Sequence, residues 1–137
     1  MAKITVLGSG GWGTALTISA FNCGHEVSLW SPFEQEVYSL NQYRENIKLL
    51  PNIKIPDEIT ITSDISCAKN SLISIIACPS VAVRSVSKQL ASVENHGIVV
   101  NVAKGLDASF FTSMRYSILT RSSSNLCWSL SKMERLR

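Results

Sequence analysis

Apolar residues in this chain come in short runs, several rich in β-branched residues, separated by longer stretches with helical spacing. Ile4 to Leu7 is the first run and reads as a buried parallel strand. Val27-Ser28-Leu29-Trp30, Ile59-Thr60-Ile61-Thr62, Leu72 to Ala77 and Ile98 to Val102 are the next four. Helical patterns lie between them. One runs to about Cys23, with Ala15, Leu16, Ile18, Ser19 and Phe21 as its packing face. Another spans Phe33 to about Tyr43, and a third carries Val83, Val86 and Leu90 on one side. Strands alternating with helices imply an α/β fold: a doubly wound parallel sheet with right-handed crossovers and strand order 3-2-1-4-5.

Punctuation between the elements fits that plan. Gly24 follows the first helix where a left-handed residue is wanted. Asp64 and Ser80 stand where caps are needed, and Pro79 stops the fourth strand. The stretch from Asn46 to Pro56 has two prolines and little periodicity, so it reads as an irregular excursion. Beyond the fifth strand the pattern weakens. Met114, Ile118 and Leu119 make one face of a helix over Ala108 to Thr120. Arg121 to Asn125 is polar and unpatterned, and Leu126 to Leu130 is an apolar island with no clear element around it. Poor order is expected there.

The chemistry gathers at Gly8-Ser9-Gly10-Gly11-Trp12-Gly13, which follows the first strand and opens the first helix. A GxGxxG run by itself also occurs in ordinary glycine-rich turns. Its place between a strand and a helix is what a dinucleotide fingerprint requires. Gly8 permits the tight turn, Gly10 removes a side chain that would hold off a pyrophosphate, and Gly13 lets helix and strand pack closely. The helix start supplies N–H groups and a positive dipole end.

In a doubly wound sheet, ligands bind beyond the carboxyl ends of strands 1 and 4. Pro79-Ser80 and Lys104-Gly105 end the fourth and fifth strands and should line the same crevice as the glycine loop. Lys104 is the charged residue at those ends and is expected to meet an anion; a solvated loop lysine is the alternative. After the second strand, Ser31-Pro32-Phe33-Glu34 lacks the usual ribose-binding carboxylate. Glu34 is late and reads as a helix start, so this stretch leaves the choice of cofactor open.

Composition narrows the class further. At 137 residues, 45% hydrophobic and 17% charged, the chain is a soluble globular domain by content. Its net charge of +3 comes from the tail: residues 1–110 carry eight basic and nine acidic side chains, and 111–137 carry five and one. That distribution gives no reason to expect a nucleic-acid partner. No leader or membrane span is visible, and a cytoplasmic setting is expected. Cys23, Cys67, Cys78 and Cys127 form no CxxC pair and no metal-ligand spacing with His25 or His96, so buried free thiols and no metal are expected. Both histidines precede strands, which favours structural or surface roles.

These residues resemble bacterial NAD(P)-dependent glycerol-3-phosphate dehydrogenase, in its N-terminal cofactor domain. The resemblance runs from about Lys3 to Asp107. It rests on Val6 to Leu16, Gly24-His25-Glu26-Val27, Leu29-Trp30, Arg44-Glu45-Asn46, Leu50-Pro51, Ile55-Pro56, Pro79-Ser80 and Ala103-Lys104-Gly105-Leu106. It implies a Rossmann-like single domain over residues 1–109, with an atypical, poorly ordered tail over 110–137. It also implies NAD or NADP as cofactor, with Gly11 and Trp12 touching the dinucleotide. Lys104 would contact both the cofactor and glycerol phosphate. Gly8, Ser9, Gly10, Gly13, Phe33 and Pro79 complete the candidate cofactor-binding set.

Two departures from the family stand out. Pro32 occupies a place where the family often has a basic residue near the adenosine phosphate. The family also continues into a helical domain carrying its general-base lysine and most of its substrate pocket, so a truncated or frameshifted chain is expected. No residue here is placed as the catalytic acid or base. The expected parent reaction is hydride transfer between NAD(P)H and dihydroxyacetone phosphate, giving sn-glycerol 3-phosphate, a step of glycerophospholipid metabolism. A non-catalytic dinucleotide-binding module is the alternative, and a methyltransferase-like domain a more distant one. Oligomeric state is not legible.

Overall fold

The computed structural model describes residues 1–103 and the strand segments 106–107, 112–113 and 127–129. Ile4, Val6 and Leu7 are buried in β1 (Lys3–Leu7), the middle of a six-stranded parallel sheet. β2 (Glu26–Trp30) lies on one side of it and β6 (Ile73–Ile76) on the other. β5 (Thr60–Thr62) extends the sheet beyond β2, and β7 (Ile98–Asn101) extends it beyond β6. These are the five expected strands in the expected 3-2-1-4-5 order. A sixth, β10 (Cys127–Ser129), pairs in parallel with β7 and falls within the apolar island to which the sequence assigns no element.

Both faces of the sheet are covered, as parallel strands require. α1 (Gly11–Asn22) and α2 (Glu34–Tyr43) lie on one side: Ile18, Phe21, Val37 and Leu40 pack with Val6, Val27 and Leu29. α3 (Val83–Ser92) covers the other side with Val83, Val86 and Leu90, the face the sequence predicts, against Leu7, Ile76 and Val99. On α1 the face differs from expectation. Ser19 is exposed, while Thr14 and Thr17 are fully buried. Their hydroxyls donate to the carbonyls of Gly10 (2.9 Å) and Gly13 (2.8 Å), which removes the cost of burying a polar group.

The connector from β5 to β6 is compact. Asp64 caps a 3-10 turn, Ile65–Ala68, by accepting from the Ser66 amide at 2.8 Å. Thr5, Ser28 and Ser74 form a row across the sheet, and Thr5 Oγ1 lies 2.7 Å from Ser71 Oγ. The buried Ala68 at the end of the turn joins the core cluster of Leu7, Trp30 and Ile76.

Several expectations are corrected. The stretch read as an irregular excursion contains an antiparallel hairpin, β3 (Glu45–Asn46) and β4 (Leu50–Lys54). Ser80 makes no capping bond; a 3-10 turn, Ser80–Ala82, leads into α3 instead. Thr112–Ser113, placed by pattern in a helix, is strand β9, antiparallel to β8 (Leu106–Asp107). The remainder of that segment lies outside the described residues. Cys23 is exposed, in contrast to the buried Cys78.

Candidate functional site

The turn from β1 into α1 uses its glycines in different ways. Gly8 has φ +130°, and its N–H donates to the Trp30 carbonyl at 2.9 Å, locking the end of β1 to the end of β2. A Cβ there would lie 2.8 Å from the Ala77 carbonyl group. At Gly13 a Cβ would stand 2.0 Å from the Gly8 carbonyl oxygen, so only glycine allows this approach of helix to strand. Gly10 is the contrast: a Cβ there would meet nothing within 4 Å. Packing explains Gly8 and Gly13. Gly10 faces open space.

That open space lies at the start of α1. The first helical bond runs from the Thr14 amide to the Gly10 carbonyl, and no side chain caps the helix. The amides of Gly11, Trp12 and Gly13 precede that bond and form, with the helix dipole, an anion-binding end. Trp12 is exposed beside it. β6 ends alongside, where the Ala77 amide donates to the Leu7 carbonyl at 2.9 Å, and Pro79 is exposed just beyond. The glycine loop and Pro79 therefore flank neighbouring strand ends, as expected. Lys104 lies outside the described residues.

The hairpin adds a wall that the sequence does not predict. Asn46, only 7% exposed, donates through Nδ2 to the Ser9 carbonyl (2.8 Å) and to Thr14 Oγ1 (3.0 Å). The hairpin thereby stands against the glycine loop, and a Cβ on Gly11 would lie 2.6 Å from the Leu49 carbonyl oxygen. Arg44, in the left-handed region at φ 47°, anchors the other end by donating to the Ile59 and Asp57 carbonyls at 2.9 and 3.2 Å. Glu45 accepts from Lys54 Nζ at 2.8 Å and from the Asn52 amide at 2.9 Å, which together hold its carboxyl below the usual range.

Between hairpin, glycine loop and α2 opens a cleft of about 500 Å³, lined among others by Ser9, Phe33, Glu36, Asn46 and Leu49. Phe33 is exposed on its rim. Glu36 reaches back from α2, its Oε2 accepting from Ser9 Oγ at 2.6 Å and from Ser31 Oγ at 2.9 Å. Sequence position alone hides Glu36 and Asn46. One is a helix residue among polar neighbours, and the other begins a stretch without periodicity.

Acid–base groups are scarce near the ends of β1, β6 and β7. Besides Glu36, held on Ser9 at the tip of β1, the ionisable side chain among described residues there is Cys78, whose thiol burial pushes up to about 11, so it stays protonated at neutral pH. No group of three or more metal-binding side chains occurs among the described residues. No helix among them is long and apolar enough to cross a membrane.

Comparison with known proteins identifies the lineage. A family model described as NAD-dependent glycerol-3-phosphate dehydrogenase N-terminus matches residues 3–127, which carries the likeness past residue 109. Glycerol-3-phosphate dehydrogenase [NAD(P)+] of Fusobacterium nucleatum is 43% identical over 116 residues, covering 83% of this chain and 35% of the relative. A second such enzyme, from Lactobacillus delbrueckii subsp. bulgaricus, is 47% identical over 110 residues, 78% of this chain and 32% of the relative. The chain thus spans about a third of the length of the curated relatives it matches. Among solved structures, glycerol-3-phosphate dehydrogenase from Coxiella burnetii superposes with a TM-score of 0.80 at 24% identity, over 88% of this chain and 37% of that one. At that identity the likeness speaks for the fold.

Proposed function

Since the chain belongs to the family of NAD-dependent glycerol-3-phosphate dehydrogenase N-termini, we propose that it binds NAD(H) or NADP(H) through machinery within residues 1–109. The pyrophosphate lies over Gly10 against the uncapped start of α1. The observation that carries this reading is the contrast among glycines: Gly8 and Gly13 are required by packing, whereas Gly10 opens onto empty space at a helix N-terminus. Trp12, Phe33 and Pro79 stand exposed around that opening as cofactor contacts. Ser9 and Gly11 shape the loop. Lys104 is proposed to meet the nicotinamide end and the phosphate of the substrate.

The substrate class is a small phosphate ester. The whole enzyme's reaction is reversible hydride transfer between the nicotinamide ring and dihydroxyacetone phosphate, giving sn-glycerol 3-phosphate, in the cytoplasm. The cofactor supplies the hydride. The residues of this chain bind it, orient it and hold its phosphates. Proton transfer to the substrate oxygen needs an acid within hydrogen-bond reach. At the ends of β6 and β7 the described residues offer only the protonated, buried Cys78.

A polypeptide of these 137 residues is therefore expected to bind the dinucleotide with little turnover. Titration with NADH and NADPH, followed by an oxidation assay with dihydroxyacetone phosphate, tests both halves. Absence of binding contradicts the cofactor reading. Dehydrogenase rates of ordinary size contradict the inactivity.

A further inference from the structure

We propose that Glu36 makes this site select NAD(H) over NADP(H), by setting a carboxylate where the adenosine ribose must lie. The proposal rests on the dinucleotide reading above. In sheets of this kind, a carboxylate at the end of the second strand accepts the ribose 2′-hydroxyl, and a cation there suits a 2′-phosphate. Directly after β2 the chain has neither, because Ser31, Pro32 and Phe33 are uncharged. The fold supplies the missing group from one turn further on.

Glu36 belongs to the first turn of α2. Its Oε2 accepts from Ser9 Oγ at 2.6 Å and Ser31 Oγ at 2.9 Å. Ser9 follows the glycine that ends β1, and Ser31 is the first residue beyond β2. One oxygen thus bridges the tips of two adjacent parallel strands. With a pyrophosphate over Gly10, the ribose that joins it to adenine passes over those two tips. Both serines use Oε2, so Oε1 is not taken by either and can accept a ribose hydroxyl. The cleft beside Glu36, walled by Phe33, Leu40 and Leu49, is room for the base.

Charge around the cleft points the same way. Glu45 also lines it but is paired with Lys54. Lys48 is the cation on the cleft wall among the described residues; it is exposed on the hairpin turn, and no ion pair joins it to Glu36. A 2′-phosphate entering here would displace a serine-held carboxylate or sit against it. Like charges at such a distance oppose binding even in a solvated cleft.

The test is titration of the 137-residue chain with NADH and with NADPH, in wild type, Glu36→Gln and Lys48→Ala. Wild type is expected to bind NADH about tenfold or more tightly than NADPH. Glu36→Gln keeps the side-chain shape and should bring the ratio towards one, chiefly through a gain for NADPH. Lys48→Ala should leave NADH preferred. The wild-type ratio should also shrink as salt is raised, a readout that needs no variant. Equal affinities in wild type, a preference for NADPH, or a ratio unmoved by both Glu36→Gln and salt would overturn the role of Glu36 and leave dinucleotide binding standing. Failure of either dinucleotide to bind the folded wild type would remove the dinucleotide reading, and this proposal with it.

Discussion

Asn46 and Ser9, 37 residues apart in sequence, are joined by a 2.8 Å hydrogen bond from the Asn46 amide to the Ser9 carbonyl. Asn46 is buried and spends the same Nδ2 on Thr14 Oγ1 at 3.0 Å. Its Oδ1 accepts from the Leu49 amide at 3.3 Å, so a single side chain holds the hairpin turn and the glycine loop in register. Asn46→Ala takes a donor from the part-buried Ser9 carbonyl and from the buried Thr14 hydroxyl, at a cost of about 1–3 kcal/mol. Urea unfolding should register that loss. Dinucleotide affinity should fall as well, because the loop loses its brace. Unchanged stability would show that water replaces the amide without penalty.

The central strands were legible because their signal is local. Short apolar runs bounded by glycine and proline locate β1, β2, β5, β6 and β7, and alternation with helices orders them. The hairpin was not legible. Most of β4 is exposed, it contains Pro51, and its partner β3 is two residues long, so no alternation marks it. Thr14 and Thr17 escape a hydrophobic reading since they are buried by bonding back to the helix. Glu36 shows the same limit within the site: helical spacing gives its place on α2, while its aim at Ser9 depends on the crossover from β1 through β2. Cys127–Ser129 gains its meaning only from β7.

Gly13→Ala separates packing from ligand contact. Its added methyl would be driven to 2.0 Å from the Gly8 carbonyl oxygen, a backbone atom already fixed by the turn. Either α1 lifts from the sheet or the turn distorts, and overpacking of this kind costs about 1–3 kcal/mol. Thermal unfolding should therefore shift downward, with binding weakened in proportion to the displaced helix. A melting temperature equal to wild type would mean that α1 can move at no cost.

Thiol reactivity follows burial. Burial pushes the Cys67 and Cys78 thiols up to about 11 from an ordinary 9.0, while Cys23 is exposed. Alkylation needs thiolate and access, so at pH 8 iodoacetamide should label Cys23 and spare Cys67 and Cys78 in the folded protein. The same shifts set a pH trend. Between about pH 9 and 11 the unfolded chain releases these protons while the folded chain keeps them, so stability falls as pH rises through that window. Rapid labelling of Cys78 under native conditions would contradict its burial. Peptide mass mapping reads both outcomes.

Gly10→Val tests dinucleotide binding at the glycine loop most directly. A Cβ at Gly10 meets no protein atom within 4 Å, and the residue's φ of −62° is open to any side chain. The variant should fold and unfold like wild type. Its side chain would nevertheless fill the space over the amides at the start of α1, where a pyrophosphate must approach. Calorimetric titration with NADH should show binding to wild type and a loss of at least about a hundredfold in the variant, the scale of losing charge-assisted contacts. Equal affinity in wild type and a correctly folded Gly10→Val protein would contradict cofactor binding at this loop.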